Sequence, residues 1–389
     1  MPTAKRDGTL MMGIVSKPNT HEKLEILSAD AQYDLACACS CNKDEHRRRG
    51  GGGKWIYPVT LPNGGSSTLF KTLLSNACSS DCKYCPLRAD VDVRRCSLGP
   101  DEMANLFLDY HRRQQVFGLF LSSGVCGSAD ATMDKLNATA HILRTKHAFR
   151  GYIHLKIIPG ASDAAIEQAV SLADAVSLNI ETPGEKHLAT LSSKKEYVRD
   201  IIEPMKLISR LTAAGSKHER TNQTTQFIVG AAGESDAEIV RYMWALYDRL
   251  SMHRIYFSAY QRGLGDDSIS AEQAAMESPT DGFVREHRLY QVDFLFRKYG
   301  FAESDIVFER DGSLSLAVDP KEAWARRHPE RFPIDVNRAS RTELLRVPGL
   351  GPVTVRRILQ RRKNARIRHI EDVGKVGRRL LKASDYLTF

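Results

Sequence analysis

Six short runs of β-branched and apolar residues, separated by longer amphipathic segments, occupy the chain from about residue 69 onward. These runs predict the strands TLFKTLL, VFGLFLS, YIHLKIIP, AVSLNIE, TTQFIVG and RIYFSAY. The remaining segments predict helices near 101–115, 132–147, 163–172, 195–214, 235–250 and 285–299. Each crossover is long enough to return the chain to a parallel neighbour, so we expect an α/β fold with a partial (β/α)6 barrel. Ligands should bind at the carboxyl ends of its strands.

Three cysteines follow the first predicted strand, in the stretch NACSSDCKYCPL. Cys78, Cys82 and Cys85 are separated by three residues and then two, in a chain with eight cysteines. Zinc would normally need a fourth cysteine or histidine at similar spacing, and none follows within this loop. Three thiolates suit a four-iron cluster with one iron left open. A zinc site completed by a distant ligand and inert buried cysteines are the alternatives.

The positive charge of the chain is concentrated at its end. Residues 326–389 contain 17 Lys and Arg against six Asp and Glu, which contributes +11 to a formal net charge of +9 and leaves −2 for the rest. Such a basic segment is typical of a polyanion-binding appendage, although a charged face can merely solvate a helix. The longest apolar runs are far shorter than the roughly 18 residues of a membrane span. The N-terminus lacks the apolar core of a secretory signal, so we expect a cytoplasmic protein without membrane contact.

The basic segment contains two short helices joined by a glycine turn, in SRTELLRVPGLGPVTVRRILQRRK. Ser340 and Glu343 form a capping box that opens the first helix. Pro352 starts the second helix, which carries Arg356 and Arg357. Backbone N–H groups at such a helix start can bind phosphate without reading bases.

These features divide the chain into four parts. We expect an N-terminal helical and loop extension over 1–68, the barrel over 69–310, a linker over 311–333, and a small all-α domain over 334–389. The extension carries Cys37, Cys39 and Cys41, for which an auxiliary metal site competes with simple packing. Cys126 follows the second strand, where it either packs or takes part in the chemistry.

The cysteine stretch resembles the signature of the radical S-adenosylmethionine (SAM) enzymes, in which an aromatic residue, here Tyr84, precedes the third cysteine. The resemblance implies a [4Fe-4S] cluster on Cys78, Cys82 and Cys85, with SAM chelating the open iron. It implies that one electron, from a donor such as a flavodoxin or ferredoxin, cleaves SAM to methionine and a 5′-deoxyadenosyl radical. That radical takes a hydrogen atom from an unreactive carbon. The cofactor supplies this chemistry, and the protein positions the carbon that reacts.

The same resemblance implies contacts to SAM at the strand ends. In SSGV, Gly124 takes the place of the family's glycine turn at the methionyl group, although a tight turn alone would also explain it. The stretch LNIETP resembles the ribose-binding stretch of biotin-synthase-like members. This resemblance implies that Asn179 and Glu181 bind the ribose of SAM. The competing interpretation of Glu181 is a surface salt bridge. In FIVGAAGES, Gly230 and Gly233 resemble the turn that approaches adenine.

The tail over 340–362 resembles the helix-hairpin-helix motif of DNA repair and recombination proteins. A second, less regular unit follows in IRHIEDVGKVGRRLLKASDYL. The residues predicted to contact DNA are Gly349, Leu350, Gly351, Arg356, Arg357, Lys375, Gly377 and Arg378. Such modules also bind proteins, so docking of a protein partner is the alternative.

In its overall architecture, the chain resembles an uncharacterised group of radical SAM proteins assigned to DNA modification or repair. The leading hypothesis is therefore a radical SAM enzyme that acts on a nucleic acid, duplex DNA in particular. A second hypothesis is a radical SAM enzyme that acts on RNA or a small molecule, with the tail docking a protein. A third is a non-catalytic, redox-sensing DNA-binding protein with an iron–sulfur cluster.

Overall fold

The computed structural model describes residues 18–33, 55–60, 65–273 and 279–389. Within them, the main sheet has seven strands whose spatial order follows the sequence. The strands are β1 (Ile56–Thr60), β2 (Ser66–Leu73), β3 (Gly118–Ser122), β4 (Tyr152–Lys156), β5 (Ala175–Ser177), β6 (Asn222–Val229) and β7 (Arg254–Ala259). β1 is antiparallel to β2, and every later pair is parallel. The six parallel strands confirm the predicted partial (β/α)6 barrel.

Helices connect the parallel strands at the predicted places. Around the barrel they are α1 (Thr20–Asp30), α2 (Pro100–Arg112), α3 (Ala129–His141), α4 (Asp163–Leu172), α5 (Glu185–Leu191), α6 (Glu203–Leu211), α7 (Asp236–Leu250), α8 (Ser270–Gln273) and α9 (Pro279–Tyr299). Short π-helical segments at Ile142–Lys146 and Tyr197–Ile202 adjoin α3 and α6. In the described part of the chain, no helix is long and apolar enough to cross a membrane.

The N-terminal extension contributes more to the barrel than its sequence suggests. Strand β1 pairs with the edge of the sheet and places Tyr57 opposite Leu69. It contains Pro58, which an edge strand tolerates because one side of its backbone needs no partner strand. From α1, Leu24 and Leu27 are fully buried in the barrel's hydrophobic core. Cys37, Cys39 and Cys41 lie outside the described residues.

Alternation along the strands separates an apolar outer face from a polar inner face. On β4, Ile153 and Leu155 are fully buried in the hydrophobic core. His154 lies on the opposite face and its Nε2 is 3.0 Å from the Ser177 hydroxyl of β5. Because side chains alternate along a strand, Lys156 shares this inner face. The inside of the barrel is therefore lined with hydrogen-bonding groups.

The C-terminal region forms a second, smaller core. Its helices are α10 (Pro320–Arg327), α11 (Arg341–Arg346), α12 (Pro352–Arg361) and α13 (Arg378–Ser384). The domain is not purely helical, because strands β8 (Ile334–Asp335) and β9 (Leu387–Thr388) pair in parallel. The predicted linker includes α10, whose Trp324 is 2% exposed and belongs to the barrel's core. Sequence patterning missed this because two flanking prolines are equally typical of a linker.

Candidate active site

A cavity of about 570 Å³ lies at the carboxyl ends of the barrel strands. The cysteine loop that follows β2 forms one wall, and its Cys78, Cys82 and Cys85 all line the cavity. Tyr260 and Gln261, which follow β7, line it as well. The cavity therefore lies where a parallel barrel positions its ligands.

The cysteine loop is held in place by one arginine. The two terminal nitrogens of Arg95 donate hydrogen bonds to four loop carbonyls, those of Asn76 (2.6 Å), Leu87, Arg88 and Val91 (2.9 Å each). These bonds replace the regular backbone pairing that a loop of this kind lacks. Arg95 thus fixes both ends of the cysteine stretch.

A second set of contacts joins the loop to the segment after α5. The Asp81 carboxylate accepts hydrogen bonds from the Ser192 hydroxyl (2.5 Å) and from the Ser193 N–H (2.8 Å). These hydroxyl and N–H donors outweigh burial and lower the pKa of Asp81 to about 2. Lys194 Nζ adds a bond of 2.6 Å to the Ser79 carbonyl. These contacts fix the cysteine loop to the segment that follows α5.

The environment of the thiols fits a cluster of several irons. Burial is the main cause that raises the pKa of the Cys85 thiol to about 12, and the neighbouring Cys82 adds to it. The cysteines therefore become thiolates only when a positively charged group, such as iron ions, binds beside them. Backbone N–H groups of Val125 and Leu87 donate to the sulfurs of Cys78 and Cys85, each at 3.4 Å. Such N–H donors stabilise negative charge on cluster sulfurs.

The arrangement does not fit a zinc ion. Within the described ranges, no three Cys, His, Asp or Glu side chains converge closely enough to hold one metal ion. In a four-iron cluster each thiolate binds a different iron, so the three sulfurs need not meet at one point. The alternative of a zinc site with a distant ligand therefore lacks its ligand set among these residues.

Glu181 is buried and strained. It is 6% exposed, which removes the surface salt-bridge interpretation, and its φ of +63° places a non-glycine residue in the left-handed region. Such backbone costs about 1–3 kcal/mol and tends to occur at functional sites. The Glu181 N–H bonds to the Gln226 carbonyl at 3.0 Å, and its carbonyl accepts from the Ile228 N–H at 2.8 Å. Strand β6 thus holds the carboxylate in the cavity.

Two titratable side chains join Glu181 to the cysteines. Burial raises the pKa of Tyr84 well above its usual value, and the negative charges of the nearby Cys82 and Glu181 raise it further. Burial alone would lower the pKa of Lys195, but Cys82 and Glu181 reverse this and raise it. Lys195 thus remains a cation beside the cysteine loop, because the negative charges of Cys82 and Glu181 favour its protonated form.

Sequence reasoning missed Lys195 and Lys156. Both line the cavity, and Lys156 Nζ donates a hydrogen bond of 2.5 Å to Oδ1 of Asn179. Asn179 is 8% exposed and lines the cavity together with Glu181. A lysine at the end of an apolar strand gives a usable signal for Lys156, whereas Lys195 lies in an irregular segment that gives none.

Gly124 lines the cavity, and close packing also requires a glycine there. A Cβ at this position would lie 2.6 Å from the Ala77 carbonyl oxygen and 3.1 Å from Cβ of Cys78. Its N–H donates to the Ser75 carbonyl at 2.7 Å. The residue therefore allows the cysteine loop to approach the end of β3, whatever contact its backbone makes with a ligand.

Gly230 and Gly233 lie in a turn just outside the cavity. Among described residues, the cavity lining includes Ile228 but neither of these glycines. Their φ angles of +90° and +69° require glycine for backbone reasons. The Glu234 carboxylate accepts hydrogen bonds from the N–H groups of Gly230 and Ala232, which closes the turn.

Cys126 lies away from the main cavity. It lines a separate cavity of about 260 Å³, beside Ser75 and Thr132. The Ser75 hydroxyl is 3.9 Å from its sulfur, and Thr132 Oγ1 accepts a hydrogen bond from its N–H at 2.8 Å. This position fits the packing interpretation of Cys126.

In the C-terminal domain, two hairpin units pack against each other through their backbones. Ser340 and Glu343 form the predicted capping box of α11. Gly349 has a φ of +84°, and a Cβ on it would lie 2.1 Å from the Arg379 carbonyl oxygen. The glycine of the first hairpin is therefore required by contact with α13.

The residues predicted to contact DNA divide into three groups by their exposure. The side chain of Leu350 is buried, so only its backbone can face a ligand. The exposed residues of the set are Arg356, Arg357, Lys375, Gly377 and Arg378. Gly349 and Gly351 are half-buried in the first hairpin turn. The domain thus presents an arginine- and lysine-rich surface around its two turns.

Comparison with known families gives two matches. Residues 72–243 match the model of the radical SAM superfamily, and residues 331–379 match that of the helix-hairpin-helix motif. The barrel therefore contains a radical SAM domain, and the C-terminal region contains a helix-hairpin-helix motif. Enzymes of this superfamily use a [4Fe-4S] cluster and SAM. No curated protein matches the sequence.

Three solved structures illustrate the similarity of the chain to known proteins. The FeFe-hydrogenase maturase HydG from Carboxydothermus hydrogenoformans has 14% identity and a TM-score of 0.46, over 58% of this chain and 51% of its own. Methylornithine synthase (PylB) has 11% identity and a TM-score of 0.44, over 58% and 61%. Streptococcus suis SuiB bound to S-adenosylmethionine has 11% identity and a TM-score of 0.43, over 59% and 48%. The chain thus spans about half to three-fifths of these proteins, and such similarity does not identify a substrate.

Proposed function

We propose that this protein is a radical SAM enzyme that modifies or repairs a nucleic acid, with duplex DNA as the substrate. The observation that carries the proposal is one cavity that collects Cys78, Cys82 and Cys85 together with Asn179 and Glu181. It lies in a barrel packed against a basic helix-hairpin-helix domain. When bound, the cluster and SAM supply a 5′-deoxyadenosyl radical.

The residues of the chain hold and enclose these groups. The three cysteines would hold the cluster, and Tyr84, which lines the same cavity, would lie beside it. Asn179 and Glu181 grip the two ribose hydroxyls of SAM, because an amide and a carboxylate offer both a donor and acceptors.

Three glycines complete the proposed SAM site. The backbone of Gly124 faces the methionyl group at the end of β3. Gly230 and Gly233 shape the turn after β6 that lets backbone approach adenine, although the turn itself stands just outside the cavity. The glycines therefore act through backbone geometry, and the polar side chains supply the directional contacts.

The C-terminal domain holds DNA through its phosphates. Backbone groups of the hairpins, at Gly349 and Gly351 and again at Gly377, provide N–H donors of the kind that bind phosphate. The prediction for Leu350 is not kept, because its N–H donates to the Val347 carbonyl at 3.2 Å. Exposed positive side chains surround these turns: Arg356, Arg357, Lys375 and Arg378. A nucleotide must leave the base stack to reach a cavity enclosed by the barrel. An electron donor such as a flavodoxin or ferredoxin completes the system.

The test is anaerobic turnover. The protein is reconstituted with iron and sulfide, reduced with dithionite and given SAM, and 5′-deoxyadenosine is quantified with and without duplex DNA. The proposal predicts formation of 5′-deoxyadenosine that DNA increases. Turnover that DNA does not change would favour an RNA or small-molecule substrate, and those are the next additions.

A matched variant separates catalysis from redox sensing. Cys82→Ala should lose SAM cleavage and retain DNA binding. If the wild-type protein binds DNA and carries a cluster but never cleaves SAM, the protein is a redox-sensing DNA-binding protein and the proposal is wrong.

A further inference from the structure

Helix α9 runs antiparallel to strand β7, so each position on the helix corresponds to a position along the barrel strands. Near its start, the Glu286 carboxylate accepts a hydrogen bond of 2.7 Å from the N–H of Ala259, the last residue of β7. One turn later, the Tyr290 hydroxyl makes hydrogen bonds of 3.0 Å to both the N–H and the carbonyl of Phe257. Each further turn of α9 therefore lies nearer the amino ends of the strands and farther from the cavity.

The first hairpin turn lies at the far end of α9. Lys321 Nζ donates a hydrogen bond of 2.6 Å to the carbonyl of Leu350 in that turn. The same Nζ lies 4.6 Å from the ring centroid of Tyr299, the last residue of α9. A Cβ built on Gly351 would lie 3.6 Å from the Tyr299 hydroxyl. The hairpin is thus at the amino ends of the barrel strands, and the cavity is at their carboxyl ends.

Side-chain contacts fix this position. Arg346 of α11 forms an ion pair of 3.1 Å with Asp305, and both side chains are about one-fifth exposed. Its guanidinium carbon lies 4.5 Å from the ring centroid of Phe301 and 4.6 Å from that of Trp324. A guanidinium held between a carboxylate and two aromatic rings has a fixed position, so it fixes the helix that carries it against the barrel. The C-terminal domain therefore has a defined offset from the cavity.

The length of α9 gives the size of this offset. Tyr299 lies 13 positions after Glu286 on α9, which corresponds to about 20 Å at a rise of 1.5 Å per residue. Duplex DNA rises 3.4 Å per base pair, so this distance corresponds to about six base pairs. A phosphate held by the first hairpin therefore does not belong to the nucleotide that enters the cavity.

We propose, on the basis of the function proposed above, that the protein acts on a nucleotide at a fixed distance from the phosphates that its hairpins hold. For a duplex that runs along α9, that distance is about six base pairs. The substrate is then a DNA that occupies the hairpins and also continues past α9 to the cavity. A short duplex that fills only the hairpins is bound without being acted on.

A length series tests the offset in the full-length, reconstituted protein. Duplexes that increase in steps of two base pairs are assayed for binding by fluorescence anisotropy and for stimulation of 5′-deoxyadenosine formation. The shortest stimulating duplex should exceed the shortest binding duplex by about six base pairs. One common minimum length overturns the offset and leaves the proposed function intact. Binding without stimulation at any length contradicts both.

A matched pair of variants tests the fixed docking. Arg346→Met removes the ion pair with Asp305, whereas Arg338→Met removes an equal charge from a side chain that is 89% exposed. Both variants should bind DNA within about twofold of each other, since each loses one positive charge and neither residue is a predicted DNA contact. Only Arg346→Met should lose the length threshold. Arg346→Lys, which keeps the charge, should partly restore it, and an unchanged threshold in both Arg346 variants contradicts the proposal.

Discussion

The cavity of the barrel and the turns of the C-terminal domain handle their ligands in opposite ways. In the cavity, functional side chains are turned inward, with Cys82 at 7% and Glu181 at 6% exposure. In the domain, Arg356 and Arg378 are turned outward, and the core beneath them is apolar. The first arrangement suits a small cofactor that must be shielded from water, and the second suits a polyanion of indefinite length. Side-chain geometry therefore matters most in the barrel, whereas backbone geometry and net charge matter most in the domain.

The largest effect should come from a cluster cysteine. Cys82→Ala should reduce 5′-deoxyadenosine formation below detection, because a lost thiolate leaves the cluster with two protein ligands. Binding of duplex DNA, measured by anisotropy, should not change. Cys126→Ala is the matched control, since Cys126 lines a different cavity. Equal loss of SAM cleavage in both variants would contradict the assignment of the cluster.

The next largest effect should appear in the stability of the C-terminal domain. In Gly349→Ala the new Cβ meets the Arg379 carbonyl oxygen, and φ at this position is +84°. Both effects are unfavourable, and we expect a loss of roughly 3 kcal/mol in the free energy of unfolding. Gly377→Ala is the control, because nothing lies within 4 Å of a Cβ there. The melting temperatures of the two variants are measured by circular dichroism. Equal melting temperatures would contradict the requirement for glycine at position 349.

A smaller effect should separate SAM binding from DNA binding. Glu181→Gln keeps the shape of the side chain but removes a charged hydrogen-bond acceptor. We expect the Kd of SAM, measured by isothermal titration calorimetry on the reconstituted protein, to rise about tenfold or more. The Kd of DNA should not change. Glu185→Gln, at an exposed position on α5, should leave both constants unchanged.

A few-fold effect on DNA affinity should result from single basic residues. Arg356→Gln and Arg378→Gln should each weaken binding and reduce the slope of log K against log salt by about 0.9, since each removes one phosphate contact. Basal SAM cleavage should stay constant. Arg113→Gln, at an exposed position just after the end of α2, removes the same charge outside the C-terminal domain. An unchanged salt slope in both hairpin variants would favour a protein partner for the domain.

The smallest effect should be a pH dependence at the junction of the two regions. Burial lowers the pKa of Lys321 to about 7, although Asp319 opposes the shift. The unfolded chain therefore binds a proton that the folded protein does not, between the folded value and the ordinary lysine value. Stability should then rise with pH over that window, by about 2–4 °C in melting temperature between pH 7 and pH 9. Lys321→Met should abolish this rise, and a rise of the same size in the variant would assign it to another group.

The barrel could be predicted from the sequence because alternation and spacing are local. All six parallel strands lie where apolar runs predict them, and the cysteine loop follows the first of them. Strand β1 was missed because five residues with a central proline give little signal. Helix α10 was missed because its packing depends on Trp324 reaching the barrel's core, which no local pattern indicates.

The site was less predictable than the fold because its contacts join distant segments. Lys195 lies more than 100 residues after Cys82, and only the fold brings the two together. Leu350 looked like a DNA contact because it lies in the glycine turn, but an apolar residue there is buried in the domain's core. Positive φ values at Gly230 and Gly233 explain those glycines without any ligand. The sequence motifs therefore predicted the region in which the ligands bind, whereas the packing of the fold determines which side chains line that region.

The most direct test follows hydrogen from DNA to the cofactor product. Duplex DNA deuterated at its sugar and base carbons is incubated with reduced, reconstituted protein and SAM, and the 5′-deoxyadenosine is analysed by mass spectrometry. If DNA is the substrate, a C–D bond of the nucleotide breaks, a C–D bond forms at the 5′ carbon, and the product gains one mass unit. Product that forms at the same rate but carries no deuterium would contradict DNA as the hydrogen donor, and with it the proposal that the cavity and the hairpins act on one molecule.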